Sequence, residues 1–254
     1  MLELRNIHKR YSGIPAVEAV SFTAHAGEIT GYLGANGSGK STTMKMITGL
    51  IEPSSGEIFF EGRPIRDDLM AYRQRMGYVP EEPHLYSHLS GMEYLEMVSQ
   101  LRNMERKTAS ERIHGLLRLF GLYSDRDVSI SSYSKGMRQK VLLSAALMHN
   151  PDLILLDEPF SGLDVGSSMV LRSLIEELAR RGKVVLFSSH ELETVERICS
   201  HVIILHRAKI VADDSIESLR TLMELPTLEG IFAQLAVEQD SATISREIVD
   251  LIHA

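Results

Sequence analysis

The stretch GANGSGKS, residues 34–41, decides the fold because it fills the pattern G-x-x-x-x-G-K-[ST] between a strand and a helix. Residues 28–33 before it are short, apolar and β-prone, and residues 42–48 after it continue in helical fashion. Glycines in such a turn let successive backbone N–H groups converge on a phosphate, and the new helix directs its positive end to the same point. An ordinary glycine-rich turn is the alternative, but the flanking strand and helix argue against it. The predicted nucleotide-phosphate residues are Gly34, Asn36, Gly37, Ser38, Gly39, Lys40, Ser41 and Thr42, with the Ser41 hydroxyl available to Mg²⁺.

Length, composition and charge restrict the classes of protein that fit. The chain has 254 residues, and its 44% apolar content is enough for a sizeable core. A net charge of −7 argues against a free-standing nucleic-acid binder, and we expect no nucleic-acid partner. No apolar run approaches the length that spans a bilayer, and residues 1–5 lack the features of a secretion signal, so we expect a cytoplasmic protein.

Cysteine and histidine give little indication of a metal site. Cys199 is the single cysteine, which excludes an internal disulfide, and its place beside the apolar run at residues 201–205 predicts a buried side chain. His84 and His88 are four residues apart, but their setting indicates a loop, so the spacing that places two ligands on one helix face does not apply.

Hydrophobic periodicity divides the chain into three regions. Residues 2–23 and 56–62 suggest antiparallel strands in a small β layer. Residues 90–93 and 108–111 both match the capping box that begins a helix, and an apolar face at Ile113, Leu116, Leu117 and Phe120 predicts a helical insertion. Later, strands at 153–157, 184–189 and 202–205 alternate with helices at 165–181 and 192–199, which predicts a parallel sheet; the last forty or so residues indicate further helices.

Two carboxylates follow a buried strand. Residues 153–156 are apolar, and Asp157 and Glu158 come directly after them, as expected where a parallel strand delivers acids to its carboxyl end. Asp157 would hold Mg²⁺, directly or through water. Glu158 could polarise a water for attack on a γ-phosphate. An acidic strand end that caps a neighbouring helix is the alternative, which the phosphate loop makes less attractive.

The segment YSKGMRQK, residues 133–140, resembles the signature of ATP-binding cassette ATPases, usually written L-S-G-G-Q. Other marks of that family follow in order: an aromatic residue at Tyr11, the Q-loop at 77–81, the D-loop at 161–164 and a switch histidine at His190. The resemblance covers about residues 1–215. It implies an α/β fold of the P-loop NTPase type, with a RecA-like parallel sheet core, a small antiparallel β layer and a helical subdomain at about 88–148, followed by a helical extension at 216–254.

The resemblance also assigns roles to residues. It implies ATP and Mg²⁺ as cofactors, with Glu158 as general base, His190 stabilising the γ-phosphate, Lys40 holding phosphates as a further catalytic residue, and Tyr11 stacking on adenine. Ser134 and Gly136 would complete the site of an opposite subunit. The implied metal-binding residues are Ser41, Glu81 and Asp157.

The chain departs from the family pattern at two places. In the signature, Tyr133 replaces Leu, Lys135 replaces Gly and Met137 replaces Gln, while the pair assigned to phosphate is kept. Lys135 adds a positive charge near an anion, and we favour a side chain that faces solvent. In the Q-loop, Glu81 stands where Gln is usual; a carboxylate still ligates Mg²⁺ or orients water, but it adds negative charge beside the phosphates.

The function implied is that of an ATPase subunit that energises a separate membrane-spanning permease subunit. Such a subunit is peripheral on the inner face of the cell membrane. It pairs with a second cassette of the same or a homologous kind. Residues 80–86 and 227–232 look similar to cassettes of bacterial multidrug, antibiotic, sodium or polysaccharide exporters. A soluble cassette ATPase of DNA repair or translation is the alternative, although the chain has neither long heptad arms nor tandem cassettes. A binding module without turnover stays open because of the altered signature.

Overall fold

The phosphate-loop stretch joins a buried strand to a helix, as predicted. The computed structural model describes residues 1–82 and 84–236. The strand Ile29–Gly34 is buried along its whole length, and the helix Lys40–Ile47 begins inside the loop. Within the described residues the strands form a four-stranded and a six-stranded sheet. The strands are β1 (Leu2–Tyr11), β2 (Ile14–Ala24), β3 (Ile29–Gly34), β4 (Ser55–Phe60), β5 (Arg63–Pro64), β6 (Met76–Val79), β7 (Leu153–Asp157), β8 (Val184–Ser188), β9 (His201–His206) and β10 (Lys209–Ser215).

The larger sheet has the order β10-β9-β3-β8-β7-β6. Strands β9, β3, β8, β7 and β6 run parallel, which confirms the prediction from the alternation of strands and helices. The edge strand β10 pairs antiparallel with β9, a hairpin that the sequence analysis did not predict. Because the parallel strands end at the same edge, residues that follow β3, β6, β7 and β8 are brought together there.

Some helices pack against the sheets, and those from the middle of the chain form a layer of their own. Six of the helices in the described residues begin after a polar residue whose side chain caps them, and the apolar positions of the longer ones face a core. The helices are α1 (Lys40–Ile47), α2 (Leu69–Gln74), α3 (Gly91–Leu101), α4 (Arg106–Leu119), α5 (Lys135–Leu147), α6 (Val165–Arg180), α7 (Leu192–Ile198), α8 (Ile216–Met223) and α9 (Leu228–Ala236).

The smaller sheet is the predicted antiparallel layer, with the order β2-β1-β4-β5. It packs against the strand that carries the phosphate loop: the rings of Phe22 and Tyr32 lie 5.5 Å apart between centroids. The Tyr32 hydroxyl donates a hydrogen bond of 3.0 Å to Thr43 Oγ1 in α1. Burial therefore ties the β layer, β3 and α1 into one core behind the loop.

Helices α3, α4 and α5 share an apolar core of their own. The capping box at the start of α3 is confirmed: Ser90 Oγ accepts from Glu93 N at 3.2 Å, and Ser90 N donates to Glu93 Oε2 at 2.8 Å. The second predicted capping box, at residues 108–111, is wrong. Helix α4 begins three residues earlier, because the Glu105 carboxylate caps it by accepting from the backbone N–H of Thr108, which places Thr108 inside the first turn. The apolar face predicted for this helix is confirmed, with Ile113 and Leu117 fully enclosed.

The C-terminal helices are attached to α7. Glu196 in α7 accepts hydrogen bonds from the Arg220 guanidinium in α8 and from the backbone N–H of Leu228, at 3.0 Å, where α9 begins. Residues 237–254 of the predicted helical extension lie outside the described residues. Cys199, next to α7, is buried as predicted, and burial raises the pKa of its thiol. None of the helices in the described part of the chain is long and apolar enough to cross a bilayer.

Candidate active site

The phosphate loop adopts a conformation that only glycine accommodates at one position. Gly39, the residue before α1, has φ of 112° and ψ of 1°. A Cβ atom there would lie 2.4 Å from the carbonyl oxygen of Ala16 in β2, closer than any stable contact. Gly37 also has a positive φ, with open space where its Cβ would be. Because neither glycine has a side chain, an anion can approach the backbone N–H groups of the loop.

The Lys40 ammonium lies inside the loop. It donates to Gly34 O at 2.6 Å and to Ala35 O at 3.3 Å, and only 9% of the residue is exposed. Burial lowers the pKa of Lys40, while the negative charges of Glu158, Asp157 and Glu81 oppose that shift. An ammonium held among carboxylates at the start of a helix is suited to bind a polyphosphate.

Asp157 is the last residue of β7 and is 3% exposed. Its carboxylate accepts a hydrogen bond from Ser188 Oγ at the end of the neighbouring strand β8. Burial raises the pKa of Asp157, and the nearby charge of Glu81 raises it further, whereas Ser188 and Lys40 oppose the rise. A buried carboxylate in this position gains from a cation placed beside it.

Glu158 points differently from Asp157 because its backbone turns. Its φ of 49° lies in the left-handed region, and its N–H donates to Ser188 O at 3.1 Å. Glu158 Oε2 lies 2.7 Å from His190 Nδ1, and the Glu158 residue is 8% exposed. Burial raises the pKa of Glu158, while the hydrogen bond and charge of His190 lower it. A carboxylate with a raised pKa, oriented by an imidazole, has the properties of a general base.

Glu81 contributes a third carboxylate. It follows β6, which pairs parallel with β7, so the carboxyl ends of the two strands place Glu81 beside Asp157. It is exposed on the protein surface at the rim of the site. Ser41, Asp157 and Glu81 thus offer oxygen ligands of the kind that Mg²⁺ prefers.

A single cavity of about 340 Å³ collects most of the predicted residues. Its position at the carboxyl edge of the parallel strands is the usual place for a ligand in such a sheet. Ala16 was not predicted; its main chain closes the cavity against Gly39, and no sequence pattern points to it. Ser188 was missed as well, although a polar residue at the end of an apolar strand is a usable signal. The lining residues are Ala16, Asn36, Gly37, Gly39, Lys40, Ser41, Thr42, Glu81, Asp157, Glu158 and His190.

Five predicted residues do not line this cavity. Gly34 ends β3 and Ser38 is a buried residue of the loop; Ser38 Oγ finds no hydrogen-bond partner within the described residues. Tyr11 ends β1 and is half exposed, with the Lys9 ammonium 5.5 Å from its ring centroid. Ser134 and Gly136 lie at the start of α5 instead, where Ser134 Oγ caps the helix by accepting from Met137 N at 3.2 Å.

The residues of the cavity fit a nucleoside triphosphate with a divalent cation. Lys40 bonds only to loop carbonyls among the described residues, and the unpartnered Ser38 hydroxyl adds a further polar atom to the loop. Asp157 and Glu81, which line the same cavity, supply hard oxygen donors. Positive and negative groups are therefore arranged to hold phosphate oxygens and a metal ion at once.

The chain is similar to known proteins over most of its length. The family described as ABC transporter matches residues 17–161. The ABC transporter ATP-binding protein NatA of Bacillus subtilis is 38% identical, over 91% of this chain and 96% of that protein. The Nod factor export ATP-binding protein I of Burkholderia lata is 33% identical, over 86% of this chain and 72% of that protein.

Solved structures show the same fold. An ATP-binding subunit of an ABC transporter superposes with a TM-score of 0.88 at 33% identity, covering 92% of this chain and 99% of that one. A dimeric ATP-binding cassette in a post-hydrolysis state, bound to ADP and Pi, superposes with a TM-score of 0.79 at 25% identity, covering 85% of this chain and 99% of that one.

Proposed function

The chain belongs to the ABC transporter family of ATP-binding proteins, and from that membership we propose that it energises export through a separate membrane subunit. Cassettes of this family bind and hydrolyse ATP, so the chain is an ATPase. The observation that carries our assignment of residues is the cavity where Lys40, Asp157, Glu158 and His190 meet. We assign residues 1–215 to the cassette, 88–148 to its helical subdomain and 216–254 to a C-terminal extension.

The phosphate loop binds the β- and γ-phosphates of ATP. The free backbone N–H groups at the start of α1 donate to the anion, and the Lys40 ammonium donates to phosphate oxygens in place of the carbonyls of Gly34 and Ala35. Tyr11 at the end of β1 is the proposed stacking partner of adenine. Both contacts hold the substrate in place for attack on its γ-phosphate.

Mg²⁺ would be held by the Ser41 hydroxyl and the Asp157 carboxylate, with Glu81 as a further oxygen ligand. When bound, the ion neutralises charge on the phosphate oxygens. Ser188 keeps the Asp157 carboxylate oriented by donating a hydrogen bond to it. Glu81 in place of the usual Gln makes the metal environment of this chain more negative.

Glu158 is the proposed general base. It takes a proton from a water molecule as the water oxygen bonds to the γ-phosphorus, and the bond from that phosphorus to the ADP oxygen breaks. His190 fixes the direction of the Glu158 carboxylate through the 2.7 Å contact and stands on the cavity wall, where it can stabilise the γ-phosphate. The Lys40 ammonium stabilises the negative charge that develops on the phosphate oxygens in the transition state.

A second cassette completes the site. Ser134 and Gly136 lie at the N-terminus of α5 on the surface of the same chain, away from its own cavity, with a hydroxyl and backbone N–H groups suited to an anion. We assign them to the γ-phosphate of an opposite subunit, identical or homologous. The dimeric form of a related cassette bound to ADP and Pi supports this arrangement.

The membrane partner is the proposed permease, which would keep the chain on the inner face of the cell membrane. Residues 81–82 and 84–88 are mostly exposed and connect the cavity to the helical subdomain. We assign to them the signal that tells the membrane partner whether ATP or ADP is bound. Export is favoured over import by segments 80–86 and 227–232 and by the relative named for Nod factor export.

The decisive experiment expresses the chain with and without the multi-span protein encoded beside it. We expect the chain to enter the membrane fraction only with that protein, and the purified complex to hydrolyse ATP and move cargo out of the cytoplasmic compartment. The Lys40→Ala variant is the control: it should still bind the membrane subunit but lose turnover, because it loses a phosphate contact. A stable complex with DNA or ribosomes, and none with membranes, would overturn the proposal.

A further inference from the structure

The start of α5 packs directly against the segment that follows Glu158. A Cβ atom added to Gly136 would lie 2.7 Å from the carbonyl oxygen of Gly162, so the two backbones are in close contact. Gly162, with φ of +80°, lies under the side chain of Lys135: a Cβ there would be 2.8 Å from both Lys135 Cγ and Cδ. The Lys135 stem therefore covers the turn at Gly162.

The Lys135 ammonium makes a specific contact at the end of this stem. It donates a hydrogen bond of 2.6 Å to Ser161 Oγ. The Ser161 N–H in turn donates to Glu158 O at 3.1 Å, in a tight turn. Lys135 is thus linked to the main chain of the proposed base through one intervening residue, and the expectation that it merely faces solvent is incomplete.

Two further side chains of α5 hold the same segment. Gln139, which is buried, donates to the Pro159 carbonyl at 3.1 Å, and the Lys140 ammonium lies 3.9 Å from Asp164 Oδ2. Positions 135 and 139 share one face of the helix, since they are four residues apart, and Lys140 follows Gln139 directly. Contacts from α5 therefore reach residues 159, 161 and 164 of this segment.

We propose that Lys135 is a positioning residue that couples the two ATP sites of a dimer. The inference rests on the proposed function, in which Ser134 and Gly136 serve the opposite site and Glu158 serves the chain's own. A glycine, usual at this signature position, has no side chain to form the link. A movement of Ser134 when it binds a γ-phosphate is transmitted through Lys135 and Ser161 to Glu158.

The test compares the steady-state ATP dependence of four single variants and one double variant with wild type. Lys135→Met keeps the aliphatic stem but removes the donor, Lys135→Arg restores a donor, and Ser161→Ala removes the acceptor. Lys107→Met, an exposed lysine on α4, is the matched control. We expect Lys135→Met and Ser161→Ala each to lower kcat about threefold to tenfold, the effect of one lost hydrogen bond, with KM nearly unchanged and a lower Hill coefficient.

The double variant Lys135→Met/Ser161→Ala should be no slower than either single one, because both remove the same link. Lys135→Arg should regain most of the turnover. Multiplied losses in the double variant, unchanged kcat and Hill coefficient in Lys135→Met, or a rise in KM alone would overturn the proposal; the last result would make Lys135 a nucleotide contact.

Hydrogen–deuterium exchange tests the link independently of turnover. The peptide that contains residues 158–164 should exchange faster in Lys135→Met than in Lys107→Met, and equal exchange would refute the coupling. A wild-type chain that hydrolyses no ATP, alone or with its membrane partner, would refute the proposed function instead. The two failures are therefore distinguishable.

Discussion

Replacing Glu158 by Gln tests the centre of the proposed chemistry. Gln has nearly the volume of Glu, so the residue, 8% exposed, fits the same space. Its amide oxygen still accepts a hydrogen bond from His190, whose Nδ1 lies 2.7 Å from Glu158 Oε2. The variant therefore removes the base and one negative charge while keeping the packing of the site.

The size of the effect follows from the role. General-base catalysis contributes about 100- to 10,000-fold to a rate, so kcat should fall by that factor, equivalent to about 3 to 5 kcal/mol in the barrier. The affinity for ATP should be unchanged or higher. In the site without ATP, the negative charge of Glu158 attracts the Lys40 ammonium. Removing that charge removes a competitor of the phosphate for Lys40.

Two assays separate chemistry from binding. Phosphate release under saturating ATP reports kcat, and titration with a fluorescent ATP analogue reports affinity. Glu111→Gln, at an exposed position of α4, serves as the matched control and should behave as wild type. Turnover of Glu158→Gln within about threefold of wild type would refute the assignment of the base. Loss of ATP affinity in parallel with turnover would show a binding role instead.

Three further predictions address the site and the core. Burial raises the pKa of Glu158 above the ordinary glutamate value of 4.5. Because protonated Glu158 cannot act as a base, kcat/KM should fall as the pH is lowered, with a midpoint above 4.5 that a pH–rate profile measures. Gly39→Ala should weaken binding of the ATP analogue at least about tenfold, since its Cβ would collide with Ala16 O; unchanged affinity would show that the loop relaxes. Ile154→Ala, at a fully buried position of β7, should lower the free energy of unfolding by about 2 to 5 kcal/mol in a denaturant titration, whereas Ile14→Ala, 72% exposed, should change it by less than about 0.5 kcal/mol.

Local patterns explain what could be predicted from the sequence. The phosphate loop needs glycine at fixed positions, and a buried parallel strand needs an apolar run before its acids, so both are visible in a few consecutive residues. The parallel order of β3, β7, β8 and β9 followed from the alternation of strand and helix patterns.

Features set by competing or distant groups could not be predicted. Thr108 matches a cap, but Glu105 three residues earlier takes that position. The β9–β10 hairpin lacks a strong turn signal, and its turn is held by distant residues: Ala208 O accepts from Glu18 N, and Ala208 N donates to Ser38 O. The contact of Lys135 with Ser161 joins residues 26 positions apart and depends on how α5 meets the D-loop. Tertiary packing, which no short window contains, decides each case.

The pairing of β3 with β8 has a consequence for biosynthesis. Residue Tyr32 pairs with Ser188, so the strand that carries the phosphate loop meets its neighbour only after more than half of the chain has been made. Such a sequence separation slows closure of the sheet. A nascent chain that ends before β8 has the loop but lacks Ser188 and His190 to orient its acids. We therefore expect tight ATP binding only after β8 has joined the sheet, so that ATP affinity would report completion of the central sheet.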